Sequence, residues 1–259
     1  MKHSYLDQYS DRHSPVHRLD PRTKFIAVFV FILGVAVTSP PAWWAYAVFF
    51  GLVAGLIAVS RVPVGYILKR SLVVIPFVLL IAVFVPFFKD GEIMAGFSIG
   101  SWDIAISRQG LETFGGILAK AWLSILALIM LTATTRVSDL LRGLERLRLP
   151  RIMVMILSFM YRYIFVLVDE VMRMKQARDS RNFGGRRLWQ IRTIGTMTGT
   201  LFIRSYERGE RIYLAMLARG YDGHARSINP LGFKTLDILF IAGFGAAVVA
   251  LSTVAILGT

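Results

Sequence analysis

Two short stretches of this chain place an arginine in the same local pattern. Ser180-Arg181-Asn182-Phe183 and Ala218-Arg219-Gly220-Tyr221 each read small residue, arginine, a residue tolerant of positive φ, then an aromatic. Asn and Gly accept the left-handed conformation, so both stretches predict an arginine in a last helical turn followed by a left-handed C-cap. The charge is favourable there, because the C-terminal end of a helix is partly negative. Such an arrangement does recognition chemistry. A guanidinium projecting past a helix end beside an aromatic suits a partner's groove, and arginine is enriched at interface hot spots. Either stretch alone reads as an ordinary helix stop; the pairing is what favours docking.

No other residue set promises a reaction. His3, His13 and His17 accompany Asp7, Asp11 and Asp20 in an N-terminal stretch, but none of them has a fixed spacing on a helix, and the stretch reads as a polar tail. His224 follows Asp222-Gly223 and reads as a surface turn. Asp169-Glu170 reads as a helix-face pair with Arg173. Gly184-Gly185-Arg186-Arg187 lacks the Gly-Lys-Ser/Thr ending of a phosphate loop. The expectation is a protein without catalytic residues, metal ligands or cofactor.

The elements that must position the two arginines follow from composition. The chain has 259 residues, 55% of them hydrophobic and only 18% charged, with no cysteine and a net charge of +14. That wealth of apolar residues excludes disorder, and the missing cysteines exclude a disulfide scaffold and a thiol nucleophile. Phe25 to Ser60 carries no charged side chain. As one helix it would run about 54 Å against a hydrocarbon core of about 30 Å, so it must fold back, at Ser39-Pro40-Pro41. Five membrane spans result: about Lys24–Thr38; Ala42–Val59 with Trp43, Trp44 and Tyr46 at one interface; Ser71–Phe88 with Pro76 and Pro86; Gly115–Thr135; and Ile238–Thr259. Lys120 can snorkel near a span end.

Ile152–Val168 is apolar but holds Arg162 near its middle. Residues 134–235 contain 19 of the 30 Lys and Arg, whereas 89–114 contain two against four carboxylates. Basic loops stay on the cytoplasmic side, so four alternating spans with the N-terminus inside place 134–235 inside as well. A crossing at 152–168 would split two basic stretches, so that segment reads as part of a long interfacial helix. The fold class is therefore an all-α integral membrane protein, N-terminus in and C-terminus out. Its three parts are 1–135 (a retained tail and four spans), 136–235 (amphipathic cytoplasmic helices) and 236–259 (the last span). Within 136–235 the expected helices are Val137–Leu149, capped by Ser138 and ended by Pro150; Arg151–Asn182; and Arg186–Arg219, with a bend near Gly209. Contact with anionic lipid accounts for the basic excess, and no nucleic-acid motif is present.

The paired endings, together with Ser14-Pro-Val-His-Arg-Leu-Asp-Pro-Arg-Thr-Lys24, resemble the transmembrane (T) component of energy-coupling-factor transporters, in its CbiQ branch. Ala218-Arg219-Gly220 matches that family's Ala-Arg-Gly coupling motif in full. Ser180-Arg181-Asn182 departs at two positions that keep the size class and the cap role. Asp20, Pro21, Arg22 and Lys24 match the family's Asp-Pro-Arg-x-Lys segment.

The resemblance implies a non-catalytic coupling subunit of an ATP-driven importer for cobalt or nickel in a bacterial or archaeal plasma membrane. Two cytoplasmic ATPase subunits (CbiO-type) would each receive one helix end, with Arg181 and Arg219 in their grooves and Phe183 and Tyr221 in support. Their motion would pass to a separate substrate-binding membrane subunit (CbiM-type, with a small CbiN-type subunit). Within the same class the alternative is a T component serving a vitamin transporter. From a different class it is a stand-alone carrier or scaffold, which would need an internal repeat or broken helices with a polar centre.

Overall fold

Asp20 opens the first helix, α1 (Pro21–Val37): its carboxylate accepts the Arg22 N–H at 2.9 Å, and Pro21 fills the first helical position. Thr38 ends it, returning both its N–H and its hydroxyl to the Gly34 carbonyl. This computed structural model describes residues 14–88, 92–99, 102–181, 187–223 and 232–258. Ser39-Pro40-Pro41 turns the chain into α2 (Trp43–Ser60), as expected. Trp43 and Trp44 are half exposed, but Tyr46 is buried and donates its hydroxyl to the Ser39 carbonyl, so it anchors the turn instead of an interface.

The third helix begins earlier than the apolar run suggests. α3 (Val64–Ala82) takes in Lys69 and Arg70, because Pro63 fixes its start, and it continues through Pro76. A four-residue turn, α4 (Val85–Phe88), follows. Two antiparallel strands, β1 (Ile93–Ile99) and β2 (Trp102–Ser107), pair from Ile99↔Trp102 outward with one irregularity between Ile93 and Ala95. The sequence predicts only a loop over 89–114, because strand pairing leaves no mark in hydropathy. Ser107 then caps α5 (Arg108–Thr134), accepting the Gly110 N–H at 2.9 Å, so the fourth span starts seven residues sooner than expected.

α6 (Val137–Arg146) starts at Val137 with no side-chain cap, and Asp139 rather than Ser138 supplies the favourable first-turn group. It stops at Arg146, ahead of Pro150, with Arg148 in the left-handed region at φ 69°. α7 (Arg151–Ser180) and α8 (Arg187–Ala218) are uninterrupted helices of 30 and 32 residues. α9 (Thr235–Leu257) is the last. Helices thus dominate the described residues, with the single hairpin as exception.

The chain divides into two compact units, one of Arg148–Pro230 and one of Lys2–Leu147 with Leu231–Thr259. In the second unit α1 packs on α5, α6 and α9, and α5 packs on α2 and α3. Phe31, Val35, Phe49, Leu126, Met130 and Val248 lie in its core. The outer faces are the reverse of a water-soluble protein. Phe77 is 70% exposed, Ile81 73% and Leu239 70%, a surface that only lipid would cover without penalty. Among the described residues five helices are long and apolar enough to cross a membrane: α2, Val64–Phe87, α5, α7 and α9. The number matches the expectation but the set does not. α7 qualifies because its apolar half continues into its charged half as one helix, whereas α1 has only 17 residues.

α1 and α9 approach closely at Gly34. A Cβ built there would lie 2.5 Å from Val248 Cγ1, so the two helices leave no room for a side chain. Gly34→Leu is expected to cost about 1–3 kcal/mol through overpacking, read as a lowered thermal midpoint in detergent. Gly55→Leu, at a position with open space around it, is the control and should cost far less.

Candidate functional site

The end of α7 carries the first arginine. Ser180 is its last residue and is exposed; its hydroxyl donates to the Gln176 and Ala177 carbonyls at 3.0 and 3.1 Å. Arg181 follows with φ −87° and ψ 24°, donates its N–H to the Arg178 carbonyl and is exposed. Asn182 and Phe183, expected as cap and aromatic, lie outside the described residues.

The end of α8 is fully described. Gly220 adopts φ 77°, the left-handed cap expected from the sequence. The Tyr221 N–H reaches the Met216 carbonyl at 3.0 Å and the Gly220 N–H the Leu217 carbonyl at 2.9 Å, which together make a Schellman closure. Ala218, Arg219 and Gly220 are exposed. Tyr221 is partly buried and turns back, its hydroxyl on the Met155 sulfur near the start of α7. Its role is thus to fix the end of α8 against α7.

A second bond sets how α7 and α8 run. Glu170 of α7 accepts from Arg204 of α8 at 2.6 Å and from its own-helix neighbour Arg173 at 2.7 Å. Met155 with Tyr221 and Glu170 with Arg204 define an antiparallel pair. The two arginine-bearing ends are therefore not brought together. Arg219 sits beside the start of α7, and Arg181 lies about 39 Å further along that helix at 1.5 Å per residue. Glu170 is thus paired with Arg173, as expected, and also with Arg204, while Arg162 is exposed on α7.

The N-terminal segment lies in the other unit and is buried. Asp20 and Lys24 are 5% and 6% exposed. The Lys24 ammonium donates to the Thr134 carbonyl at 2.9 Å, the last residue of α5, and to the His17 carbonyl at 3.2 Å. The final carbonyls of a helix lack partners within it, so Lys24 satisfies one and places its charge on the negative helix end. The arrangement is reciprocal: Lys120 of α5 donates to the Ala36 carbonyl in the last turn of α1 at 2.8 Å. Lys120 is therefore a helix-end partner and not simply a snorkelling cation. Arg22 stays near Asp20, with Nε 3.7 Å from its carboxylate.

Asp237 completes this cluster, and the sequence reading passed over it because it set the last span at Ile238. It is 1% exposed; one oxygen accepts the Asp20 N–H at 2.9 Å and the other the Lys234 N–H at 2.9 Å. A lone carboxylate in the first turn of a long apolar run was the available signal. Asp20, Lys24, Thr134 and Asp237 thus clamp the start of α1, the end of α5 and the start of α9. His17 belongs to the same turn, its Nδ1 2.7 Å from the Ser14 hydroxyl. His3, His13, His224, Asp7 and Asp11 lie outside the described residues, among which no group of three metal-ligating side chains gathers.

Both helix ends and the clamp fall inside one family match. The family described as CbiQ, cobalt transport protein, matches residues 12–230. The chain belongs to the CbiQ family. A CbiQ-family chain of this kind is a transmembrane component of an energy-coupling-factor transporter, and a multi-pass membrane protein. Similar proteins carry related names. The energy-coupling factor transporter transmembrane protein EcfT of Bacillus selenitireducens is 32% identical over 84% of both chains. That of Listeria innocua is 29% identical over 86% of both. The putative fused cobalt transport protein CbiMQ of Methanocorpusculum labreanum is 29% identical over 81% of this CbiQ-family chain and 35% of its own length.

Lys24→Met is expected to cost about 1.5–3 kcal/mol, because it leaves buried carbonyls without a charged donor. Lys120→Met, at a half-buried position, should cost less; equal thermal shifts for the two would contradict the clamp. Gly220→Ala is expected to cost roughly 1–2 kcal/mol locally through its backbone conformation, and Gly220→Asn less. Faster amide exchange over the last turn of α8 would report it.

Proposed function

We propose that this protein is the non-catalytic coupling subunit of an ATP-driven importer for cobalt or nickel ions. Arg181 and Arg219 are its contacts to two cytoplasmic ATPase subunits. Ser180, Asn182, Ala218 and Gly220 set the helix ends that present them, and Phe183 and Tyr221 support those ends. The observation that carries the reading is the placement of two exposed arginines at opposite extremities of one antiparallel helix pair. A single binding pocket would gather them; two separate partners require them apart. Hydrolysis then belongs to the ATPases, and their closing and opening would move α7 and α8 as rigid levers.

The assignment of 136–235 to the cytoplasm, with the N-terminus on the same side and the last helix ending outside, rests on the distribution of Lys and Arg. α1 belongs among the spans despite its length, since Lys24 with Thr134 and Lys120 with Ala36 hold it alongside α5 from end to end. About 26 Å of helix falls near the lower end of what a bilayer requires. α7 then lies along the cytoplasmic interface of the plasma membrane with Arg162 at the headgroups. Asp20, Pro21, Arg22 and Lys24 act in this reading as the brace of the membrane bundle.

Cobalt as cargo is supported by the family description and by the fused relative's name, which also points to a CbiM-type partner; nickel as cargo and a CbiN-type companion are what the resemblance implies. The alternative within the same class is a T component serving vitamin uptake; the relatives named EcfT carry no cargo in their names. The test is affinity purification of the tagged chain from its native membrane in mild detergent, beside the double variant Arg181→Glu/Arg219→Glu. Wild type should bring down an ATPase and a small membrane subunit, and the variant should lose the ATPase while remaining membrane-inserted. Metal bound to the second subunit selects cobalt or nickel over a vitamin. A double variant that assembles and transports normally refutes the coupling role; solute movement in liposomes by the chain alone means a carrier.

A further inference from the structure

The end of the bundle braced by the clamp also carries a basic basin. A cavity of about 480 Å³ is lined by Ser14, Arg18, Leu19, Arg61, Lys234 and Asp237, among others. Arg18, Arg61 and Lys234 are exposed and come from three separate elements: the turn before α1, the end of α2 and the residue preceding α9. Asp237, the one carboxylate in the lining, is 1% exposed with both oxygens on the backbone N–H groups of Asp20 and Lys234, so a single buried negative charge stands against three exposed positive ones. Three cations around one cavity favour an anion.

A second, narrow cavity of about 50 Å³ shares Leu19 with the first. Val28, Phe31, Leu56, Met130 and Phe244 line it, and nearly all of its wall is apolar. On α9 the basin residue Leu236 and the slot residue Phe240 are one helical turn apart. On α2 the slot residue Leu56 lies just over one turn before Arg61. A cationic basin that continues into an apolar slot at the end of a membrane bundle has the polarity of a phospholipid. A free phosphate has no use for the slot, and a neutral lipid has none for the three cations.

We propose that this end of the membrane bundle is a binding site for one anionic phospholipid. Its phosphate headgroup lies among Arg18, Arg61 and Lys234, and part of one acyl chain enters the slot beside Leu19. Such a lipid would tie the end of α2 to the starts of α1 and α9, two of the three helix ends that the clamp holds from inside. The site does not depend on how α7 and α8 meet their partners, so it stands or falls separately from the coupling role.

The test titrates the purified full chain in detergent with phosphatidylglycerol, phosphatidylcholine or inorganic phosphate, with binding read by native mass spectrometry and by the thermal midpoint. Phosphatidylglycerol should bind and raise the midpoint, and phosphatidylcholine should do so far more weakly. Arg18→Gln/Lys234→Gln, which alters exposed side chains only, should weaken phosphatidylglycerol by roughly 30-fold, at about fivefold per cation removed near a membrane surface. Val28→Trp, which fills the slot, should weaken it with all three cations in place, circular dichroism reporting that the helices persist. Equal affinity of the double variant and wild type for phosphatidylglycerol would overturn the site. So would inorganic phosphate competing as well as the lipid does, which would leave an anion site without a chain.

Discussion

A helix that ends inside or at the edge of a bilayer leaves carbonyls that water does not reach, and the membrane bundle here is organised around satisfying them. α1 and α5 solve the problem for each other. Lys24, near the start of α1, reaches the last carbonyl of α5, and Lys120 of α5 reaches the last turn of α1. Each lysine places a positive charge at a negative helix end, so the two bonds also fix the antiparallel register of the pair. The close approach of α9 at Gly34 falls on the stretch of α1 between these two bonds.

Asp237 extends the same logic to the last helix, which is joined to the others only after a long intervening segment of chain. Its carboxylate serves α9 through the Lys234 N–H and α1 through the Asp20 N–H. A buried carboxylate is tolerable because both oxygens accept bonds and Lys24 lies in the same cluster. The family's Asp-Pro-Arg-x-Lys segment thus acts through structure: Asp20 caps, Pro21 fits the first helical position, and Lys24 closes the cluster.

The other unit is built on the opposite principle. α7 and α8 bury little of themselves, are held to one another by Glu170 with Arg204 and by Tyr221 with Met155, and leave their motif arginines exposed. A segment so poor in internal contacts is suited to surfaces supplied by partners. Its rigid parts are the helices themselves, which agrees with a role in carrying motion between subunits.

Much of this was legible in the residues. The apolar runs, the Ser39-Pro40-Pro41 reversal and the left-handed cap at Gly220 follow from local chemistry, because hydropathy, proline and glycine act over a few residues. The two arginine endings were visible for the same reason, as repeated local patterns. Other features depended on contacts distant in sequence. Nothing near Lys120 marks it as the partner of Ala36, nothing near Tyr46 shows that it is buried, and Asp237 looked like a residue outside a span until Asp20 met it. The hairpin at 93–107 likewise needed pairing between strands that hydropathy does not signal. The membrane class and the two arginine endings can be read from the residues alone, since they are properties of single segments. That the N-terminal segment is a brace and that the two arginines stand at opposite ends of the α7–α8 pair depends on which helix ends are brought together, which folding alone sets.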